Sequence, residues 1–481
     1  MKQEERYKII NGNNLEVLPT FEDNSVDAII TDPPYELNFM NKGWDSSGIA
    51  YNVELWKQAW RVLKHGGYLL AFGGTRTYHR IACAIEDAGF EIRDCIMWLY
   101  GSGFPKSLDI GKSMESKILN GSANTKDFRK LDGEYIDRGN YGYATLANNQ
   151  GARPRDYNEI NEQRLNKVNY KTEEGKKWSG WGTALKPSYE PIIVARKPLY
   201  KSVADNILKY GVGGINIDEC RIGNDLIKGG TMPDLDDVGK KQKALGNGHI
   251  QSFGQISNAK RIECEDHYGR FPANTILTYD ETDFEEVCGG MPDTKSSDNI
   301  RHNKTFSGGT PRIDNNIQYK EYSSGGPSDE GSAARYFYCA KASKKDRDNG
   351  LMEFDDGFIS DGRKAESDRP YLRKETSRKN IHPTVKPVEL MQYLVRLVSP
   401  KGATILDIFN GSGSTGKAVA FENRERDADY KYIGIELDPN YCEISKGRID
   451  YAVNKYQYDI LEEVKEHEEK GQLTLFDFKD L

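Results

Sequence analysis

No two of the seven cysteines (Cys83, Cys95, Cys220, Cys264, Cys288, Cys339 and Cys442) are spaced as Cys-x-x-Cys, and their number is odd. A zinc site or a disulfide framework is therefore not expected, and reduced thiols are the plain reading. There is no run of about 18 apolar residues of the kind that spans a bilayer. No apolar stretch follows the opening Met1-Lys2-Gln3-Glu4-Glu5-Arg6, so no secretory signal is expected, and a cytoplasmic protein is. Excess positive charge is missing as well: 67 Lys and Arg against 74 Asp and Glu leave a net −7. A surface that binds nucleic acid all over is thereby excluded, and any such contact has to come from local basic patches.

What is present is length and polarity. The 481 residues are 37% hydrophobic, and a mean hydropathy of −0.74 is polar for one compact globule. The combination implies an ordinary core carrying long, solvated loops. Up to about residue 104 the chain alternates short apolar runs (Tyr7–Ile10, Asp27–Thr31, Gly67–Phe72, Ile92–Leu99) with helical patterns. Leu55, Trp56, Ala59, Trp60 and Leu63 form one stripe, closed by His65-Gly66-Gly67. Tyr78, Ile81, Ala82, Ile85 and Ala88 form another. This alternation predicts a largely parallel sheet in an α/β fold.

From 105 to 380 Gly, Asn, Asp, Ser and Lys dominate, broken by one clear strand at Glu190–Ala195. Disorder is one reading. The recurring aromatics Trp178, Trp181, Tyr189, Phe271, Tyr336 and Phe337 favour a folded insertion with mobile loops. Order resumes at His382. Pro387 stands where a first helical residue would, and Leu390, Leu394, Leu397 and Val398 follow at helical spacing. A strand (Thr404–Ile408), a glycine-rich loop, a helix and a strand (Tyr432–Glu436) complete a second α/β half, 381–453. The remainder, 454–481, reads as helical and acidic, with eight Asp and Glu against four Lys from Asn454 onward.

Two motifs at opposite ends of the chain carry chemistry. Asp32-Pro33-Pro34-Tyr35 follows the strand Asp27–Thr31, where α/β sheets gather functional groups. An exocyclic amine is a poor nucleophile because its lone pair is delocalised into the base. Asp32 can accept one of its N–H bonds and the Pro33 carbonyl the other, which favours a pyramidal nitrogen. Pro33 and Pro34 stiffen the loop, and Tyr35 offers a flat face for stacking. A plain strand-ending turn is the alternative.

The second motif, Asp407-Ile408-Phe409-Asn410-Gly411-Ser412-Gly413-Ser414-Thr415-Gly416, joins a strand to a helix. A Gly-x-Gly loop there suits any nucleotide cofactor. It lacks the Gly-Lys-Ser/Thr of a phosphate loop. Asp407 suits a cationic ligand group, such as the amino group of a methionine moiety. Glu436, at the next strand's tip, suits two ribose hydroxyls, or else is a solvated strand end.

The pairing resembles the DNA amino-methyltransferases, and the order, catalytic motif first and cofactor motif last, is similar to their β class. Phage- and prophage-type DNA methylases are resembled by Thr31–Trp44, Gly66–His79, Gly101–Lys106, Lys186–Pro191, Tyr338–Ser343 and His382–Pro387. The resemblance implies a Rossmann-like, S-adenosylmethionine-dependent methyltransferase sheet, mixed, seven-stranded and circularly permuted. Its catalytic half would be 1–104 and its cofactor half 381–453. The strand near 190–195 would return antiparallel, and the rest of 105–380 would hold target recognition. Thr384 and Lys386 match the motif that contacts the cofactor's methionine end. Asn13 stands in Gly12-Asn13-Asn14 where the family usually has an aspartate for the cofactor's adenine, and Asp-Ile-Phe replaces the commoner Asp-Pro-Phe.

The implied reaction is methylation of a flipped base in double-stranded DNA, at adenine N6, since Asp rather than Ser opens the tetrad; no metal is implied. Cytosine N4 and a catalytically silent DNA-binding scaffold are the alternatives. Two basic clusters suit phosphate contacts, or are solvated faces: Arg335, Lys341, Lys344, Lys345 and Arg347 beside Tyr336–Tyr338, and Arg373, Lys374, Arg378 and Lys379. The run Gln472-Leu473-Thr474-Leu475-Phe476 resembles the peptide by which bacterial proteins dock on the replication sliding clamp; a terminal strand packing on its own domain is the alternative.

Overall fold

The computed structural model describes residues 6–37, 43–100, 107–123, 170–227, 229, 231–233, 260–279, 293–295, 300–303, 320–323, 330–332, 337–341, 344–352, 354–355, 357–360 and 375–455. Within several short elements of the insertion only the backbone is described.

One mixed sheet organises the chain. Its strands are β1 (Tyr7–Asn11), β2 (Val26–Thr31), β3 (Leu63–Phe72), β4 (Glu91–Tyr100), β5 (Tyr189–Arg196), β6 (Thr275–Tyr279), β7 (Tyr338–Lys341), β8 (Thr404–Asp407) and β9 (Lys431–Glu436). Their order across the sheet is β1-β9-β8-β2-β3-β5-β4-β6-β7. Only β5 runs against its neighbours, β3 and β4. The sheet has nine strands where seven were expected. The first seven in spatial order are the expected set, and the insertion supplies two more, β6 and β7, in parallel on the free edge of β4. Their short length and polar surroundings hid them in the sequence.

Alternation along the central strands fills two faces, because successive side chains of a strand point to opposite sides. Ala28 and Ile30 of β2, with Tyr68, Leu70 and Phe72 of β3, join one apolar core; Ile29, Leu69 and Ala71 join the other. The second face is covered by α1 (Val53–Val62) and α2 (Tyr78–Asp87), whose stripes bury Leu55, Trp56, Ala59, Ile81 and Ile85. Asn52 caps α1 through the Glu54 N–H (2.9 Å). The helix ends at Val62, so Leu63 opens β3 instead of closing the helical stripe.

The insertion adds α3 (Ile110–Asn120) and α4 (Val203–Tyr210). The first face is covered by α5 (Val388–Val398), α6 (Ser414–Arg426) and α7 (Pro439–Val453). Pro387 is the N-cap of α5 and lies one residue before the helix. Among the described residues no helix is long and apolar enough to cross a membrane.

The insertion is fastened to this face by Glu219, which accepts from Arg426, and by Asp346. Asp346, in the short helix Lys344–Asp348, accepts the Lys417 ammonium (2.6 Å) and the Val388 N–H (3.2 Å). Its backbone carbonyl accepts from Lys417 (2.9 Å) and Arg448 (3.3 Å). Lys417 and Arg448 are wholly buried. Asp346→Ala removes their counter-charge and is expected to cost about 3–5 kcal/mol. Urea unfolding checks this, and a loss within about 0.5 kcal/mol, as for an ordinary surface change, would show the insertion is not fastened there.

Candidate active site

The tips of β1, β9, β8 and β2 lie side by side, since these strands are parallel neighbours. That adjacency brings together residues almost four hundred positions apart. Thr31, ending β2, donates its hydroxyl to Asp407 at the end of β8 (2.7 Å). The Gly12 N–H reaches the Glu436 carbonyl (2.9 Å), and the Asn14 side chain reaches the Ile408 carbonyl (3.3 Å).

The Asp32–Tyr35 motif leaves β2 into this edge. Asp32 Oδ2 accepts the Lys386 ammonium at 2.8 Å, while Asp32 Oδ1 is buried with no hydrogen-bond partner. Pro33 is buried and Pro34 half-buried. The Tyr35 hydroxyl donates to Glu190 at 2.7 Å and accepts from Lys386 at 3.0 Å, and Glu190 lies 3.3 Å from the same ammonium. Gly74 makes room for the Tyr35 ring: a Cβ there would sit 3.2 Å from ring carbon Cδ2.

Burial acts to lower the pKa of Lys386, but the Asp32 and Glu190 carboxylates outweigh it and hold the ammonium above its usual range. The rings of Phe72, Tyr35 and Trp98 surround it with centroids 4.9, 5.2 and 5.8 Å away. Tyr35 is raised well above the ordinary tyrosine value by burial and then by the same two carboxylates, so it stays protonated.

The glycine-rich loop is built from inside. Asp407 accepts Thr31 on Oδ1, Thr415 on Oδ2 (2.7 Å) and the Phe409 N–H (3.1 Å). It is 2% exposed, so the carboxylate is already occupied by the loop's own donors and shapes the loop from beneath. Asn410 is buried and accepts from Tyr432 (2.7 Å) and Ser445 (3.3 Å). Ser412 is held by Arg448 through its carbonyl (2.7 Å) and hydroxyl (3.0 Å). Gly413 caps α6 in a left-handed conformation. Glu436 Oε2 accepts the Gly411 N–H (2.7 Å) and Oε1 accepts the Asp438 N–H (2.9 Å), which aims the carboxylate along the loop. Burial raises its pKa. Asn13 caps the turn Asn14–Val17 beside it, accepting the Leu15 N–H (3.1 Å).

The structure gives several of the singled-out residues partners that the sequence reading did not name. Lys386 meets Asp32, from the 1–104 half, and Glu190, from the returning strand. The Thr384 side chain is exposed, and its carbonyl pairs with His382 Nδ1. The reading gave no role to Glu190, Thr31, His382 or Arg448. The signal for Glu190 was a carboxylate opening an apolar strand. For His382 there was none: its ring packs on Gly411, where a Cβ would lie 2.8 Å from Nε2, and edge-on to Tyr441 (4.7 Å). Of the basic clusters, Arg347 donates to the His382 carbonyl and Lys379 to the Met352 carbonyl, both inward contacts. The side chains of Lys341, Lys344, Lys345 and Arg378 are not described, and Arg335, Arg373, Lys374 and Gln472–Phe476 lie outside the described residues. No group of three His, Cys, Asp or Glu residues able to hold a metal occurs among the described residues.

The fold and site together define a doubly wound α/β protein with a glycine-rich loop and an Asp-Pro-Pro-Tyr tetrad on neighbouring strand tips. The family model described as DNA methylase, of the N6/N4 kind, matches residues 26–447, and the chain belongs to that family. It is similar to the type II methyltransferase M.HindIII of Haemophilus influenzae, 23% identical over 251 residues, which cover 43% of this chain and 64% of that protein. It is also similar to the DNA adenine methyltransferase YhdJ of Escherichia coli K12, 33% identical over 98 residues, 20% of this chain and 31% of that one. The chain thus spans less than two thirds of either relative. The solved PvuII DNA methyltransferase (cytosine-N4-specific) aligns over 94% of this chain and 95% of its own at 12% identity, with a TM-score of 0.36, below the level at which superposition shows a shared fold.

Burial lifts the Asp407 carboxyl to about 6, against the opposing effect of its Thr31, Thr415 and Phe409 donors. Between the unfolded carboxyl's ~3.9 and that value the folded chain keeps a proton the unfolded chain has released. Stability therefore falls as pH rises through this window, by about 3 kcal/mol in all. Asp407→Asn is expected to remove that decline. Urea midpoints of both proteins at about pH 4 and about pH 6.5 test it, and parallel slopes would contradict it.

Proposed function

We propose that the chain transfers a methyl group from S-adenosylmethionine to N6 of an adenine flipped out of duplex DNA. The observation that carries the reading is the divided Asp32 carboxylate. Lys386 occupies Oδ2, and Oδ1 is left buried with no partner, an acceptor that a substrate N–H would satisfy. With the Pro33 carbonyl taking the second N–H, the amino nitrogen is held pyramidal with its lone pair directed away from the base.

The residues present fit the cofactor by the chemistry of their donors. Glu436, fixed by the Gly411 and Asp438 N–H groups, keeps lone pairs for a ribose diol, and Asn13 stands beside it for the adenine. Phe409 and the backbone of Asn410–Gly413 belong to the same loop, and the Thr384 side chain is exposed. S-adenosylmethionine supplies, when bound, a methyl on a sulfonium whose leaving group is a neutral thioether. The protein's task is positioning: Asp32 and Pro33 would orient the amine for in-line attack on that methyl carbon. Tyr35 stays protonated and is tethered to Glu190, so it serves as a stacking surface and not as a base. The proton lost from the methylated nitrogen has Asp32 Oδ1 as its nearest acceptor. Duplex DNA as substrate, with its backbone gripped by basic side chains of the insertion, accords with the family and with methyltransferase relatives such as M.HindIII.

Asp32→Ala is expected to lower methyl transfer by about a hundredfold or more with cofactor affinity unchanged. Calorimetry of cofactor binding and single-turnover rates check it, and full activity would refute the tetrad assignment. Glu190→Gln removes one counter-charge from Lys386 and is expected to cut kcat about tenfold, the worth of one charge-assisted hydrogen bond, at constant KM. A rise in KM alone would instead make Glu190 a ground-state binding residue. The reading as a whole is tested by nucleoside mass spectrometry of DNA incubated with labelled cofactor. Label in N6-methyladenine supports it, N4-methylcytosine moves the target, and no label sinks it.

A further inference from the structure

The insertion between β4 and β5 carries a surface that none of the chemistry above uses. Its described part folds as one hydrogen-bonded unit. Buried Glu115 of α3 accepts the N–H groups of Lys171 (2.6 Å) and Thr172 (3.0 Å). Ser107 Oγ accepts those of Thr183 (2.9 Å) and Ala184 (3.3 Å), and the Trp181 carbonyl accepts the Ile110 N–H (3.0 Å). Trp178 packs edge-on against Trp181, with ring centroids 5.3 Å apart.

On this frame every residue from Ser179 to Ser188 is exposed. Among them Trp181 is 60% and Leu185 92% exposed. Apolar residues scattered singly on a surface need no explanation, but here two large ones stand four positions apart on one hydrogen-bonded frame.

Position and charge say which partner. The unit leaves the sheet at Tyr100 and returns at Tyr189, with the Tyr100 N–H closing on the Ser188 carbonyl (2.9 Å). Leu185 is five residues from Glu190, so the chain places it within about 18 Å of the Tyr35–Lys386 cluster. A duplex presenting its base at Asp32 passes over that distance. Lys171, Lys176, Lys177 and Lys186 outnumber Glu173 and Glu174 here, in a chain that is acidic as a whole.

We propose that Trp181 and Leu185 form an apolar wedge that enters the DNA stack beside the target base and holds the space it vacates. Such side chains offset the loss of stacking when a base leaves the helix. The inference rests on the DNA-methyltransferase reading and adds to it the residues that open the duplex.

The test compares the intact chain with Trp181→Ala, Leu185→Ala and the double variant. The substrates are oligonucleotide duplexes carrying the site mapped on methylated DNA, with the target base either paired or opposite an abasic position. Both residues are exposed, so folding should be unchanged, and cofactor calorimetry and thermal melting confirm it. The double variant is expected to lose about tenfold or more in kcat/KM on the paired duplex and to stay within about twofold of the intact chain on the abasic duplex. Equal losses on both duplexes, or none on either, overturn the wedge; the latter would leave the surface to a protein partner. If the intact chain methylates no DNA, the methyltransferase reading falls and takes the wedge with it.

Discussion

A buried ammonium between two carboxylates organises this active edge. Lys386 is 7% exposed, and an unpaired charge at that depth would cost several kcal/mol. It is tolerable because Asp32 and Glu190 supply opposite charge, the Tyr35 hydroxyl supplies a further acceptor, and three aromatic rings present their faces. The consequences run outward. Asp32 has one oxygen committed and one open; Tyr35 has its ring direction set; β2, β5 and the segment before α5 meet at one point. Those three elements come from residues 26–31, 189–196 and 382–387, so the lysine also ties together the two halves of the sheet and the returning strand.

The cofactor half obeys a similar economy. Its glycine-rich loop is shaped by polar groups that lie under it: Asp407 with its two threonines, Asn410 with Tyr432, and Arg448 beneath Ser412. Arg448 also touches the carbonyl of Asp346, and Arg347 holds the carbonyl of His382, whose ring rests on Gly411. One short helix of the insertion is thereby in contact with the loop from below and from the side. Basic residues read as a phosphate-binding cluster serve here, at Arg347, as internal fastening.

Local pattern was enough to read much of the architecture. The apolar runs and helical stripes placed β1 to β4 and α1, α2, α5 and α6, and an apolar run amid polar sequence marked β5, because strand alternation and helix periodicity are properties of neighbouring residues. The tetrad and the glycine-rich loop were likewise legible, since each is contiguous. β6 and β7 were not, being short strands whose pairing with β4 is a tertiary event.

What the sequence by itself determined is therefore the class of fold and the contiguous motifs at its strand tips. What only the tertiary structure decided is who meets whom. Lys386, read as a cofactor contact, is paired with Asp32, 354 residues away along the chain. Glu190 had no assigned role and shares that lysine with it. Asp407, read as suiting a cationic ligand group, accepts from Thr31, Thr415 and the Phe409 N–H. The physical reason is common to all three. A buried charge takes whichever opposite charge or donor the folded chain brings within about 3 Å, and nothing in local sequence encodes that distance.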